Sequence, residues 1–155
     1  MKEIYENYAM IIIFLHILSA VVWVGGMIAI RLAVHPALQG IEDSKLKLSK
    51  TLEITRKLFH LVFPFIIISL LCALVLIIGA GYSGWKIYVK EAIWTVMTLN
   101  YIYMYIQRFR AARALKKDDI QRAKELIRLL PNRLLPLNII LGIIAILFGV
   151  MIRGF

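Results

Sequence analysis

Four stretches of this chain contain no Asp, Glu, Lys or Arg, and they limit what it can fold into more than any other feature. They are Asn7–Ile30 (24 residues), Leu61–Trp85 (25), Ala92–Gln107 (16) and Leu134–Ile152 (19). The hydrocarbon core of a bilayer takes about 20 apolar residues of helix, so the first, second and fourth stretches each suffice to cross it. The third is short. Continued back through Lys90 and Lys86 it reaches the required length, with the lysine stems running towards the headgroups. The expected fold is therefore all-α, an integral membrane four-helix bundle forming a single transmembrane domain over residues 1–155. Its helices are predicted at about 8–35, 50–79, 86–110 and 134–153, with a short cytoplasmic surface helix at about 118–130. His35-Pro36 is expected to end helix 1, because a proline biases its predecessor out of the helix. Pro64 should kink helix 2, and Pro131 and Pro136 should bracket the start of helix 4.

The first apolar run is expected to stay in place as an anchor. Lys2 is offset by Glu3 and Glu6, so the segment lacks a basic leader, and the run is too long for the apolar part of a signal peptide.

Charge gives the orientation. The net charge of +10 would suit a nucleic-acid binder, yet 15 of the 19 basic residues fall in two segments. Arg31, Lys45, Lys47, Lys50, Arg56 and Lys57 lie around the first connection. Arg108, Arg110, Arg113, Lys116, Lys117, Arg122, Lys124, Arg128 and Arg133 lie around the third. The positive-inside bias puts both in the cytoplasm and both termini on the outer, periplasmic side of a bacterial inner membrane. Tyr5, Tyr8, Tyr82, Trp85 and Tyr88 would form the outer interfacial belt. The basic excess is thus topological, with membrane lipid as the partner and no nucleic acid. Cys72 is the only cysteine, which rules out an intrachain disulfide or a thiolate metal cage.

Titratable groups inside an apolar run are costly, so the ones present point to function. On a straight helix His16, Trp23, Met27 and Arg31 lie within about 60° of one line. Lys90, Trp94, Met97, Tyr101, Met104 and Arg108 lie within about 40° of another. Both stripes should face the bundle interior. Neutral imidazole is a common metal ligand and haem axial ligand, which makes His16 the first candidate and His60 the second. His35, at the exit of helix 1, is a weaker candidate for cofactor contact. It lies about 28 Å along the axis from His16, so the two cannot share one iron within a chain. Met27, Met97 and Met104 are either core filler or, with imidazole, soft ligands for Cu(I). The residues leave three readings open: a haem-b redox protein, a copper-handling protein, and a structural subunit whose partner carries the cofactor.

His16, Trp23 with Gly26 three residues on, Arg31-Leu32 and His35 resemble the first helix of the HemJ-type protoporphyrinogen oxidases and the related CopD copper-resistance membrane proteins. SGWKIYVKEAIW, with Trp85 and Lys90, is similar to the opening of helix 3 in both groups. The resemblance covers roughly helices 1 to 3 and implies a four-helix membrane fold with, for the HemJ branch, haem b. It places that branch's required histidine at His16 and its required lysine at Lys90. It further implies electron transfer from protoporphyrinogen IX to a quinone. His16, and with it His60, would hold iron, Trp23, Met97 and His35 would contact the cofactor, and Lys90 and Arg31 would meet propionates or porphyrin carboxylates. Copper is the alternative cofactor that the CopD branch implies. A homodimer in the membrane is the assembly considered.

The charge distribution generates the first prediction. Reporter fusions should place both termini outside and residues 36–50 and 109–130 in the cytoplasm, and a cytoplasmic C-terminus would overturn this topology.

Overall fold

The computed structural model describes residues 2–152 and contains four long helices, with no strand among the described residues. We label them α1 (Lys2–Gln39), α2 (Ser44–Ala80), α3 (Trp85–Lys116) and α4 (Ile120–Ile152). Three of them, α1, α2 and α4, are long and apolar enough to cross a membrane. By that measure α3 falls short of the expected fourth span. Its charge-free run is interrupted by Thr95, Thr98, Asn100 and Gln107, between Glu91 and Arg108. Arg153, the last residue of the expected fourth helix, lies outside the described residues.

Several boundaries differ from expectation, each for a visible reason. α1 starts at Lys2, and its backbone leaves helical geometry at Tyr8, where the sequence predicts the start. α2 begins at Ser44, earlier than position 50, because Asp43 caps it. The Asp43 carboxylate accepts from Lys45 N at 2.7 Å and Leu46 N at 2.9 Å. These two backbone donors hold the Asp43 carboxyl below its usual range.

The prolines do not end their helices. A π-type turn at Ile30–Val34, closed by His35 N–H on Ile30 O, precedes Pro36, and the helix continues to Gln39. A second, at Leu130–Leu134, closed by Leu135 N–H on Leu130 O, precedes Pro136. Proline lacks an N–H and its ring collides with the carbonyl four residues back. At Pro36 and Pro136 a wider i→i+5 turn shifts that carbonyl, whereas Pro64 lies inside α2 with no such turn. The predicted surface helix therefore appears as Ile120–Ile127, the amphipathic first part of α4, which has no separate boundary at residue 130.

Around the bundle α1 neighbours α2 and α4, and α3 closes the ring between them. Lys45 Nζ donates to Asp118 at 2.5 Å, which places the first and third connections at the same end, the basic end. The opposite connection turns on Gly81 and Gly84, at φ +69° and +107°, values that suit glycine. A core of Trp23, Met27, Phe59, Val62, Met97, Tyr101 and Met104 fills the centre. The bundle's exterior is apolar, with Phe14, Ile17, Leu71, Ile78, Ile140 and Ile143 all exposed.

In a bilayer, water drives no helix association, and close packing of small residues takes its place. A Cβ on Gly142 would lie 2.5 Å from Val24 Cγ2 and 3.3 Å from Met97 Cε, so α1, α3 and α4 meet at that glycine. Gly26 meets Leu58 of α2 in the same way, at 2.8 Å. Nothing lies within 4 Å of a Cβ on Gly25. Gly142→Ala should therefore destabilise the purified protein by about 1–3 kcal/mol while Gly25→Ala does not, measured by denaturant unfolding in detergent. Equal stability of the two variants would remove the α1–α4 contact from the packing argument.

Candidate functional site

His16 is half-buried on the seam between α1 and α2. Its Nδ1 lies 3.2 Å from Ser69 O. A carbonyl only accepts, so Nδ1 carries the hydrogen, and in the neutral ring the lone pair belongs to Nε2. The surroundings are close-packed: Ile12, Ser19, Ser69 and Cys72 are buried there. The Ser19 hydroxyl turns back onto Leu15 O at 2.7 Å, which keeps the seam narrow.

The register between α1 and α3 is set by Trp23 and Tyr101, whose rings meet edge to face with centroids 6.4 Å apart. Towards the far end from this pair, His16 lies about 10 Å along α1 and Trp94 about 10 Å along α3. Lys90 lies about 16 Å along α3. It is half-buried, and its Nζ is 3.1 Å from where a Cβ on Gly149 would stand. The absence of a side chain at Gly149 therefore makes room for the ammonium against α4.

Between the Trp23–Tyr101 contact and this level, three buried polar atoms lack a hydrogen-bond partner among the described residues. The indole N–H groups of Trp23 and Trp94 and the Thr98 hydroxyl are buried without a hydrogen bond. Trp23 is only 3% exposed, so water does not compensate its donor. The far half of the bundle thus holds an oriented imidazole with the Trp94 donor at its level, an ammonium about 6 Å further along, and the Thr98 hydroxyl nearer the centre.

The other predicted residues lie elsewhere. Arg31 is about 22 Å along α1 from His16, in the π turn at the basic end, so it cannot serve one group together with Lys90. His35 follows it, hydrogen-bonded between its Nε2 and Gln39 Nε2 at 3.2 Å. It lines an apolar crevice with Ile30, Val34, Leu130, Pro131 and Leu135. His60 is exposed, its Nδ1 2.7 Å from Arg56 O. It stands nine residues from Ser69, or about 13 Å along α2, too far for His16 and His60 to bind one iron. No three His, Cys, Asp or Glu side chains gather into a metal cage among the described residues. Met97 is buried with Met27 and Met104 in the central core, and no histidine belongs to that cluster.

No protein-family model, curated protein or solved structure matches this chain.

The sequence reading passed over two asparagines. Asn138 is fully buried on α4 and donates to Met97 O at 3.1 Å. Asn100 on α3 donates to Asn138 Oδ1 at 2.7 Å and to Leu134 O at 2.9 Å. Two amides in otherwise apolar runs were the available signal, since each needs a partner inside a membrane. Asn138→Ala should cost about 1–3 kcal/mol, because it removes one cross-helix bond and strips Asn100 of its side-chain acceptor. Adding Asn100→Ala should cost less than the sum of the two single changes. Strict additivity in unfolding measurements would show that the two amides act independently.

Proposed function

We propose that this protein is a haem-b-binding redox protein of a bacterial inner membrane, with HemJ-like oxidation of protoporphyrinogen IX and a quinone as electron acceptor. All four helices cross the bilayer in this reading, with both termini outside. Support for α3 as a span comes from its exterior: Val96, Leu99, Ile102, Ile106 and Phe109 are exposed and continue the apolar belt of the other helices. Its polar side chains Asn100 and Tyr101 turn inward to partners on α4 and α2.

The observation that carries the proposal is the Nδ1 bond from His16 to Ser69 O. Histidine ligands of metals donate their second ring N–H to a carbonyl or carboxylate, which fixes the tautomer and aims the other nitrogen. His16 has that arrangement well inside an apolar helix, where an ionisable residue is functional by default. Bound haem b supplies one-electron redox chemistry. The chain's own part is to orient and to exclude water: His16 Nε2 would ligate, and Trp94 would line the same level. The Lys90 ammonium, over Gly149, would fix a propionate or a substrate carboxylate. Of the three histidines only His16 would hold the iron, since neither His35 nor His60 reaches this level. Copper fits less well, because the three buried methionines and His16 do not share a cluster.

The purified protein should show a Soret band, with split visible bands on reduction. By pyridine haemochrome, His16→Ala should lose most of the haem and His35→Ala little. Equal haem in the wild type and both variants would remove His16 as a ligand, and a colourless protein with stoichiometric copper would replace the haem reading altogether.

Lys90 separates cofactor binding from membrane anchoring. Lys90→Met should keep expression but impair haem retention or porphyrinogen oxidation, with Lys90→Arg intermediate, because a planar guanidinium does not reproduce a point charge at a fixed position. Lys90→Met equal to wild type in both assays would make the lysine an interfacial anchor.

A further inference from the structure

A second cluster of polar side chains lies at the basic end, on the seam between α2 and α3. Arg108 is half-buried there, and its Nε donates to Leu52 O at 3.2 Å. That bond occupies one of the five guanidinium donors. Arg56 stands one turn along α2 from Leu52, near enough for its charge to act on Arg108, as the Tyr105 side chain also does. One turn further lies His60, its ring centroid 6.3 Å from that of Tyr105. Two residues from each helix, Arg56 and His60 with Tyr105 and Arg108, therefore border one seam.

The cluster has an excess of positive charge. None of the ion pairs among the described residues involves Arg56 or Arg108. The neighbouring carboxylate, Glu53, is held by Lys57 at 3.0 Å and Lys50 at 3.5 Å. Two adjacent guanidiniums, one of them half-buried, repel each other more strongly than they would in water. An anion between them would remove that repulsion and take up the remaining donors.

The surface beside the cluster says what kind of anion. Towards the middle of the bundle the seam is flanked by Phe63, Ile102 and Ile106, all exposed. Ile102 is about 9 Å along α3 from Arg108, the depth of acyl chain below a headgroup. We infer that this seam binds the phosphate of an anionic phospholipid, with its acyl chains lying along Phe63, Ile102 and Ile106. The guanidinium forks match a phosphate's geometry, and the Tyr105 hydroxyl adds a donor. The site is about 13 Å along α2 from the level of His16 and does not depend on haem.

The test is native mass spectrometry of the full-length protein in detergent, titrated with phosphatidylglycerol or phosphatidylcholine. A first phosphatidylglycerol adduct should persist where phosphatidylcholine dissociates. Arg56→Gln should weaken that adduct roughly tenfold, the worth of one charge-assisted contact. Arg56 is exposed, so this variant keeps the fold. Arg108→Gln should weaken it at least as much, with Arg108→Lys between. Arg110→Gln and Arg122→Gln, exposed arginines at the same end, should leave it unchanged. Equal weakening by those two would mean diffuse surface charge and overturn the site. So would the absence of a preference for phosphatidylglycerol, or displacement of the lipid by inorganic phosphate at matched concentration, which would mark a site for a soluble anion.

Discussion

Among lipid chains a polar side chain finds no water, and α3 carries more polar side chains than any other helix of this bundle. The bundle's arrangement follows from answering them. The Tyr101 hydroxyl donates to Phe59 O at 2.7 Å and so ties α3 to α2 through a backbone acceptor. Asn100 and Asn138 tie α3 to α4. The Phe59 and Trp23 rings both stand edge-on to Tyr101, so α1 and α2 pack around the same residue. Burial raises the cost of breaking any of these bonds, since a separated partner would remain in the apolar interior. The least apolar helix is thereby the one on which the other three converge.

Small residues then decide how near those three come. Gly142 lets α4 touch Val24 and Met97, and Gly26 admits Leu58. Beyond this waist the helices pair off. Lys2–Ala20 packs along α2, with at most isolated approaches to α3 and α4, while the far half of α3 lies on α4. His16 belongs to the first pair, and Trp94 and Lys90 to the second. The candidate site thus spans two pairs that are joined at the centre of the bundle and at its basic end, so the far half between them has the least packing for an entering group to displace.

The helices and their order were legible because runs of apolar residues leave few alternatives in length or type. The inward stripe of α3 was legible too: Met97, Tyr101 and Met104 are all buried, as the spacing of one residue type every three or four positions implies. The span assigned to α3 was less secure, because hydropathy averages a helix over all its faces. Of the polar side chains that lower the average for α3, Thr98, Asn100 and Tyr101 turn inward, while Glu91, Thr95, Tyr103 and Tyr105 are exposed. Of the site, the depth of His16 and the inward position of Lys90 could be read. Its partner Ser69 could not, because a main-chain carbonyl has no signature in side-chain identity. The pairing of His16 with His60 and of Lys90 with Arg31 joined residues by chemical type, and axial distance separates them. Asn100 and Asn138 carry no titratable group to mark them in the sequence, yet these neutral amides provide the interior links.

The π turns at Ile30–Val34 and Leu130–Leu134 both stand just ahead of a proline at the basic end, one on α1 and one on α4. Residues from both line the same apolar crevice. A turn closed by i→i+5 bonds holds a surplus residue in its circumference. Reverting to ordinary pitch pushes that surplus along the chain and turns every later side chain through about a quarter of a revolution. Pro36 and Pro136 oppose the reversion, as the ring of each would then crowd the carbonyl four residues before it, a crowding that α2 accommodates at Pro64. The azimuth of His35 on one helix and of Leu135 on the other therefore depends on the turn that precedes it as well as on side-chain contacts, Leu135 being buried in the core. A deletion of one residue in either turn would restore ordinary pitch and bring the proline that follows against that carbonyl.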